Sequence, residues 1–407
     1  MSCTEKNKAV KDLPDTLEEM QTLFRSIEHG CLIGLQQEIL DNIVKTRIQR
    51  GDTMFLNKRI GAFSDALSVV AKFFENPWIE VSRYLDNDSA AYVLNNAGFN
   101  LRGLGRLTEA LEPMLKACKI RESQKNWRNA AINHSNISEL LLCLGKIDES
   151  ISHSEKSVKL SDQSLNPFHQ MGKRTTLADA LHEANFIDKS YSLFNEALKY
   201  QIEWMPDTPF LNALAGYRFN NLLLTKGDTD LVLQNSMKLY SFDKENKKLL
   251  GLGLYSLLIG SAYLKKNLYD SSLFWLNHSV ISLHSAGQKI MLPRGLIARA
   301  TLHRHTNNFK LAHQDLQEVY DIAEPSGMRL HLTDYHLEMA RLLLAENTAY
   351  FYQATTDYKR SPQYHINEAE RLIKATGYHR RDQELTELKQ TILTPYPPSD
   401  LLSSPIA

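Results

Sequence analysis

The sequence lacks most of the features that mark secreted, metal-binding or nucleic-acid-binding proteins. Its four cysteines, Cys3, Cys31, Cys118 and Cys143, include no pair with the spacing of metal ligands. We therefore expect reduced thiols in a cytoplasmic chain, and neither a disulfide framework nor a metal site. Lys and Arg number 47 and Asp and Glu also number 47, so the formal net charge is zero. This balance argues against nucleic-acid binding, which usually requires a basic surface.

Long apolar runs are also absent. The most apolar stretch, residues 249–264 (LLGLGLYSLLIGSAYL), is flanked by lysines and is shorter than the roughly 18–20 residues of a membrane span. We interpret it as a helix buried within the protein. Residues 1–15 are polar and lack the apolar core of a secretion signal. Glycine and proline are few and stand mostly at predicted turns, which favours an all-α protein.

What the sequence does contain is a repeat, most clearly at residues 94–117 (LNNAGFNLRGLGRLTEALEPMLKA), which predicts a helix, a tight turn at Gly105 and a second helix. Steps of about forty residues lead to further Gly or Asn residues, which tolerate the left-handed conformation that ends a helix. The predicted turn residues are Gly105, Gly145, Asn185, Gly227, Asn267, Asn307 and Asn347. A fixed period of this kind indicates a repeat array.

Other positions keep the same register relative to the turn. The residues seven before it are Gly98, Ser138, Ala178, Asn220, Gly260, Ala300 and Ala340, and those five after it are Ala110, Ser150, Ser190, Val232, Ser272 and Ala312. Most are small, as close contact between helices requires. A register shared by all units predicts that each helix pair stacks on the next.

This spacing resembles the tetratricopeptide repeat, whose small residues and turn glycine are separated by the same intervals, although its period is about 34 residues. The resemblance implies a right-handed α-solenoid of antiparallel helix pairs, about nine when degenerate units are counted. We expect a disordered segment at residues 1–15, degenerate repeats at 16–90 and the regular array at 91–347. An aromatic insertion at 348–364 and capping helices complete residues 348–393, with a disordered tail at 394–407. The insertion is either a second binding surface or a lid over the last repeat.

Several blocks carry a more specific resemblance: residues 29–40 (HGCLIGLQQEIL) with 47–51 (RIQRG), 93–114, 292–304, and 328–346 with 376–385. They resemble the C-terminal repeat region of bacterial signal-transduction NTPases of the STAND class. That resemblance implies a sensor and autoinhibitory role. In those proteins an effector domain and a P-loop NTPase precede the repeats, and we expect this chain to lack both.

Catalytic motifs are weak. Gly172 to Thr175 (GKRT) resembles part of a phosphate loop, but Pro167 stands where the first glycine belongs and the segment lies in a predicted helix. No spacing suggests a catalytic triad, a metal set or a nucleotide cofactor. Residues 379–382 (HRRD) could bind phosphate, although a cap at Asp382 for the last helix is the favoured interpretation. We therefore expect a protein that is not an enzyme and has no cofactor.

The predicted binding surface is the concave face lined by the first helix of each repeat. Positions nine, six, three and two before the turn residue hold Asn96, Arg102, Asn136, Glu139, Asp179, Arg218, Asn221, Lys265, Arg304 and Arg341. Asparagines there could bind a peptide backbone and arginines a carboxylate, while a merely hydrated inner surface is the alternative.

Two functions are compatible with the repeat and with these residues. The first is a sensor, adaptor or scaffold that binds a protein or peptide in the groove, with a separately encoded NTPase or effector as a possible partner. The alternative is a peptide-responsive regulator whose superhelix changes shape when a small ligand binds. Neither function involves nucleic acid or a membrane.

Overall fold

The computed structural model describes residues 13–350 and 361–393 and consists almost wholly of helices in consecutive packed pairs. The predicted α-solenoid is confirmed. Residues 1–12, the tail 394–407 and residues 351–360 of the predicted aromatic insertion lie outside the described residues. In the part that is described, no helix is long and apolar enough to cross a membrane.

The N-terminal segment is less regular than the rest. Helix α1 (Leu17–Leu32) is followed by α2 (Gln36–Ile39), a π-helix (Leu40–Ile48), a 3-10 turn (Gly51–Thr53), α3 (Phe55–Lys58) and α4 (Phe63–Ala71). A small antiparallel hairpin, β1 (Phe74–Asn76) and β2 (Glu80–Val81), then leads into the array. The sequence did not predict this hairpin.

Seven helix pairs follow in order. Their first helices are α5 (Asn87–Gly103), α7 (Trp127–Cys143), α9 (Pro167–Glu183), α11 (Ala213–Lys226), α13 (Leu249–Lys265), α15 (Leu292–His305) and α17 (Arg329–Tyr350). Their second helices are α6 (Leu107–Ser123), α8 (Ile147–Gln163), α10 (Ile187–Trp204), α12 (Thr229–Glu245), α14 (Tyr269–Ser285), α16 (Phe309–Ser326) and α18 (Pro362–Thr376). A 3-10 turn (His379–Arg381) and α19 (Asp382–Leu393) close the described chain. Each first helix contacts the next first helix, so these helices form the inner wall.

The turn residues behave as predicted at six of seven units. Gly105, Gly145, Asn185, Gly227, Asn267 and Asn307 all have positive φ between 55° and 90°. The prediction for the seventh unit was wrong, because α17 continues through Asn347 to Tyr350. The next small residue of the register, Ala369, is fully buried on α18 and packs in one cluster with Ala340 of α17.

The small residues of the register owe their size to direct helix contact. At Gly98, a Cβ atom would lie 2.4 Å from Cγ of Met114 and 2.9 Å from the carbonyl oxygen of Ala110. Serines at the position five after the turn also make a recurring hydrogen bond. The hydroxyls of Ser150, Ser190 and Ser272 donate to the carbonyl oxygens of Ser138, Ala178 and Gly260 at 2.8, 2.7 and 2.8 Å. The serines are therefore part of the helix packing.

The solenoid winds back on itself. Helix α17 contacts α7, ten helices earlier in the chain. The backbone N–H of Lys289 donates to the carbonyl oxygen of Gly103 at 2.8 Å. Near the same closure, apolar side chains from distant repeats share one cluster, which contains Leu142, Ile147, Ala184, Leu330 and Tyr378. The last helix pair therefore packs against the first two regular pairs.

Candidate binding groove

The inner wall encloses two adjoining cavities of about 500 and 160 Å3. We call them together the central groove. They share the side chains of Leu224, Ser261, Ile297, Ala298, Asp334 and Arg381. Most of the lining comes from the first helices α11, α13, α15 and α17, at the positions that the repeat register assigns to the concave face. The remainder comes from the C-terminal turn and α19.

One wall of the groove is a chain of ion pairs. Arg304 Nε lies 2.6 Å from Oε1 of Glu338, and Arg341 Nη1 lies 3.5 Å from the other oxygen of that carboxylate. Arg341 also reaches α19, where its Nη2 lies 2.5 Å from Oε2 of Glu384. Burial alone would raise the pKa of Glu384, but Arg381 and then Arg341 lower it to about 2. Helices α15, α17 and α19 are thus linked by partly buried charges.

Arg380 and Arg381 of the C-terminal turn insert into the groove. Arg380 Nη1 lies 3.0 Å from Oε2 of Glu183 on α9, and its Nη2 donates to the hydroxyl of Thr225 on α11 at 3.2 Å. Arg381 Nε lies 2.7 Å from Oδ1 of Asp334 on α17. The end of the chain therefore bridges helices that lie far apart in sequence. Helix α19 begins at Asp382, and because both arginines are engaged by carboxylates, a phosphate site at residues 379–382 gains no support.

Two cations in the groove have weaker partners than the others. Lys265 Nζ donates to the backbone oxygen of Leu224, a neutral acceptor, at 2.9 Å. Burial, with help from nearby Arg380, lowers the pKa of Lys265. The carboxylate nearest to Arg294 is Glu183, at 4.0 Å, and Arg294 Nε has no hydrogen-bond partner among the described residues. These two side chains are the ones best placed to receive an anionic group.

A second ion network lies on α5, α7, α9 and α11. Glu139 accepts from Arg102 at 2.5 Å and from Arg218 at 2.8 Å, while Arg218 Nε lies 2.9 Å from Oδ2 of Asp179. Burial alone would raise the pKa of Glu139, but the two arginines lower it to about 2. The pKa of Asp179 is raised by burial and by neighbouring acids despite Arg218. This network is a link between consecutive repeats.

The ten predicted site residues therefore separate into two groups. Lys265, Arg304 and Arg341 line the larger cavity, and Asn221 lines the smaller one. The other six do not line either cavity. Four of them form the second ion network. The remaining two are asparagines held by intrachain bonds: Asn96 donates to the backbone oxygen of Tyr92, and Asn136 donates to Oδ1 of Asn95.

Several groove residues were missed by the sequence prediction. Glu338 lines the groove, and Glu183 pairs with Arg380 beside it. They lie nine and two residues before their predicted turn residues, so the same rule would have found them. Arg294 and Asp334 lie one helical turn before these positions on the same helix face, so including one more turn of each helix would have found them. No register position predicted Arg380, because its location depends on how the C-terminal end of the superhelix packs against the earlier repeats.

Within residues 13–350 and 361–393, two clusters of side chains have ligand atoms close enough to share a metal ion. Asp179, His182 and Glu183 form one, but arginines already engage both of its carboxylates. Cys118, Glu122 and His134 form the other, which lies on α6 and α7 away from the central groove. The segment 172–175, considered above as a phosphate loop, lies within α9, as the sequence predicted.

Comparison with known proteins supports the fold assignment. Residues 90–123, which include α5 and α6, match the family model of the tetratricopeptide repeat. The crystal structure of a Rap protein complexed with Competence and Sporulation Factor is similar, with a TM-score of 0.57 and 12% identity over 91% of this chain and 98% of that one. No curated protein matches this sequence. The resemblance to STAND sensor regions therefore stays a prediction.

These findings define the class of the molecule. Its stacked helix pairs, left-handed turns and matched repeat are those of an α-solenoid. One of its helix pairs, over residues 90–123, matches the tetratricopeptide repeat.

Proposed function

We propose that the chain binds an extended protein or peptide segment in the central groove and acts as a sensor, adaptor or scaffold without catalytic activity. The supporting observation is a cavity of about 500 Å3, with a mixed polar and apolar lining, that is formed by the inner helices of four consecutive units. Alternating apolar and charged lining groups suit a segment whose backbone and side chains both need partners. The similar Rap structure contains Competence and Sporulation Factor, so this type of fold can hold a ligand.

The charges of the groove favour an acidic ligand. Its lining includes six cationic side chains, Lys265, Arg294, Arg304, Arg341, Arg380 and Arg381, against three carboxylates, Asp334, Glu338 and Glu384. Since the whole chain is neutral, this local excess is a property of the groove. A carboxylate beside Lys265 or beside Arg294 would gain a charge-assisted hydrogen bond, in competition at Arg294 with the 4.0 Å contact to Glu183.

Peptide pools provide the test. Three fluorescein-labelled hexapeptide pools, rich in Asp and Glu, in Asn and Ser, or in Lys and Arg, would be titrated with the full chain and followed by fluorescence anisotropy. We expect the acidic pool to bind best, and Lys265→Met to weaken that binding. Lys266→Met is the matched control, because Lys266 pairs with exposed Asp230 outside the groove. Absence of binding by all three pools would contradict the proposal.

The proposed cellular role follows the resemblance to STAND sensor regions. We infer a cytoplasmic signalling component whose partner is a separately encoded NTPase or effector. The free thiols of Cys31, Cys118 and Cys143 suit a reducing compartment. Purification of the tagged full chain with a candidate NTPase encoded nearby would test the pairing. A stable stoichiometric complex would support it, and two separately eluting proteins would contradict it.

A regulator that changes shape is the second candidate. It is favoured by the bridge between Arg380 and Glu183, because a ligand that enters the groove must displace or reinforce this contact. Small-angle X-ray scattering with and without the bound acidic pool would measure the radius of gyration. A changed radius would favour the regulator, and an unchanged one would favour a rigid scaffold.

A further inference from the structure

A thiol, a carboxylate and an imidazole meet between the first two regular repeats. Cys118 and Glu122 lie four residues apart on α6 and therefore on one helix face. His134 approaches them from α7. The sulfur, a carboxylate oxygen and a ring nitrogen all lie within 4.8 Å of one another. Glu122 Oε1 is 3.0 Å from Nε2 of His134.

A fourth side chain fixes the orientation of the imidazole. The Nδ1 atom of His134 lies 2.9 Å from Nδ1 of His153 on α8. This contact and the contact with Glu122 hold both ring nitrogens of His134, so the ring presents Nε2 to the Glu122 carboxylate. Histidines that bind metals commonly have their second nitrogen held in this way.

We propose that Cys118 Sγ, Glu122 Oε1 and His134 Nε2 bind a Zn2+ ion, with His153 as the positioning residue. Thiolate, imidazole and carboxylate are the three ligand types that Zn2+ takes in proteins. Bonds of about 2.0–2.3 Å in a tetrahedron place ligand atoms roughly 3.3–3.8 Å apart, so small side-chain movements complete the site. The Glu122 side chain is 47% exposed, which leaves the fourth position open to water.

Burial at this position explains why a metal would matter. His134 and Cys118 are each 4% exposed. On binding, Zn2+ forms the bond to sulfur and the thiol proton leaves to solvent. The other cluster, at Asp179, is the poorer candidate because Arg218 and Arg380 already neutralise its carboxylates.

The site would join successive repeats. Its ligands come from α6 of one unit and α7 of the next, while His153 lies on α8. A bound ion would therefore stabilise the interface between these units, and the melting temperature of the full chain should rise with the concentration of free Zn2+.

Titration of the tag-free, chelator-treated full chain with Zn2+ by isothermal calorimetry tests the proposal. We expect one ion per chain and release of one proton, seen as a dependence of the heat on the ionisation enthalpy of the buffer. Substituting Co2+ should give the near-ultraviolet thiolate charge-transfer absorption and visible bands of a tetrahedral site. Absence of stoichiometric Zn2+ binding would overturn the proposal.

The variants separate ligands from neighbours. Cys118→Ser and Glu122→Gln should each weaken binding by about 10-fold or more, and His153→Phe by about 10–100-fold. Glu122→Gln is the decisive substitution, because its half-exposed side chain can change without loss of folding. Glu112→Gln, on the exposed side of the same helix and paired with Lys116, is the matched control and should leave affinity unchanged. Unchanged binding in Glu122→Gln, or loss of binding in His182→Gln instead, would refute the assignment.

Discussion

The contact between the second regular repeat and the last repeat can be tested by replacing either of two turn glycines with alanine. Gly145 and Gly227 both have left-handed backbones, with φ of 73° and 90°. At Gly145 a Cβ atom would lie 2.6 Å from Cγ2 of Thr376 and 2.8 Å from Cβ of Arg329, which belong to the last repeat. At Gly227 nothing lies within 4 Å of the added atom. The two positions share the backbone strain but differ in the contact across the closure.

The expected losses follow from these two terms. An alanine in the left-handed conformation costs about 1–2 kcal/mol, which is the full effect expected for Gly227→Ala. Overpacking adds about 1–3 kcal/mol at a well-packed site, so Gly145→Ala should reduce the free energy of unfolding by about 2–5 kcal/mol in total. Urea unfolding followed by far-ultraviolet circular dichroism measures the free energy of unfolding of both variants.

A double-mutant cycle assigns the excess loss to its cause. Thr376→Ala removes the nearest methyl group, so in the Gly145→Ala background it should recover part of the lost stability. Equal losses for the two glycine variants, with no recovery on changing Thr376, would refute the reasoning. The turn of the second regular repeat would then not touch the last repeat in solution, and the superhelix would be open.

Two further predictions concern buried charges. Asp243 is fully buried, and Lys248 Nζ lies 3.5 Å from its Oδ1. Burial outweighs this cation and raises the pKa of Asp243 above the unfolded value. Its ionised form therefore destabilises the fold at pH values above that pKa. We expect Asp243→Asn to raise the urea midpoint at pH 7 and to have no such effect at a pH of about 3, which is below the unfolded pKa. An equal effect at both pH values would contradict this prediction. Arg380→Met should lower the free energy of unfolding by about 3 kcal/mol, because it leaves Glu183 without its closest cation. The surface control Arg371→Met should change it by less than about 1 kcal/mol, and similar losses in both variants would exclude a special role for the buried pair.

The sequence predicted the repeat because the same physical demand recurs in each unit. Six of the seven turn residues have the left-handed conformation, since only Gly and Asn adopt it cheaply. The failure at Asn347 shows the limit of this reasoning. An asparagine is also acceptable within a helix, and α17 continues through that position because nothing local requires a turn there.

The groove was predicted in part for the same reason. Lys265, Arg304 and Arg341 were found because a helix in register presents fixed positions to the inner wall. The register could not distinguish them from Arg102 and Arg218, which occupy equivalent positions but form ion pairs with Glu139. Whether a charged side chain faces a cavity or an opposite charge depends on the neighbouring repeats.

The sequence by itself determined the helix pairs, their turns and the small residues between them, because these depend on contacts within about one repeat length. Tertiary structure alone decided how far the superhelix winds. That winding brings Arg380 to Glu183 across 197 positions of the chain and sets the net charge of the groove. It likewise decided that Cys118, Glu122 and His134 share one site, because their spacing carries no metal motif and only the packing of α6 on α7 brings them together. Whether two distant repeats touch depends on the small rotations between all the successive units that separate them. No local sequence pattern encodes the total of these rotations.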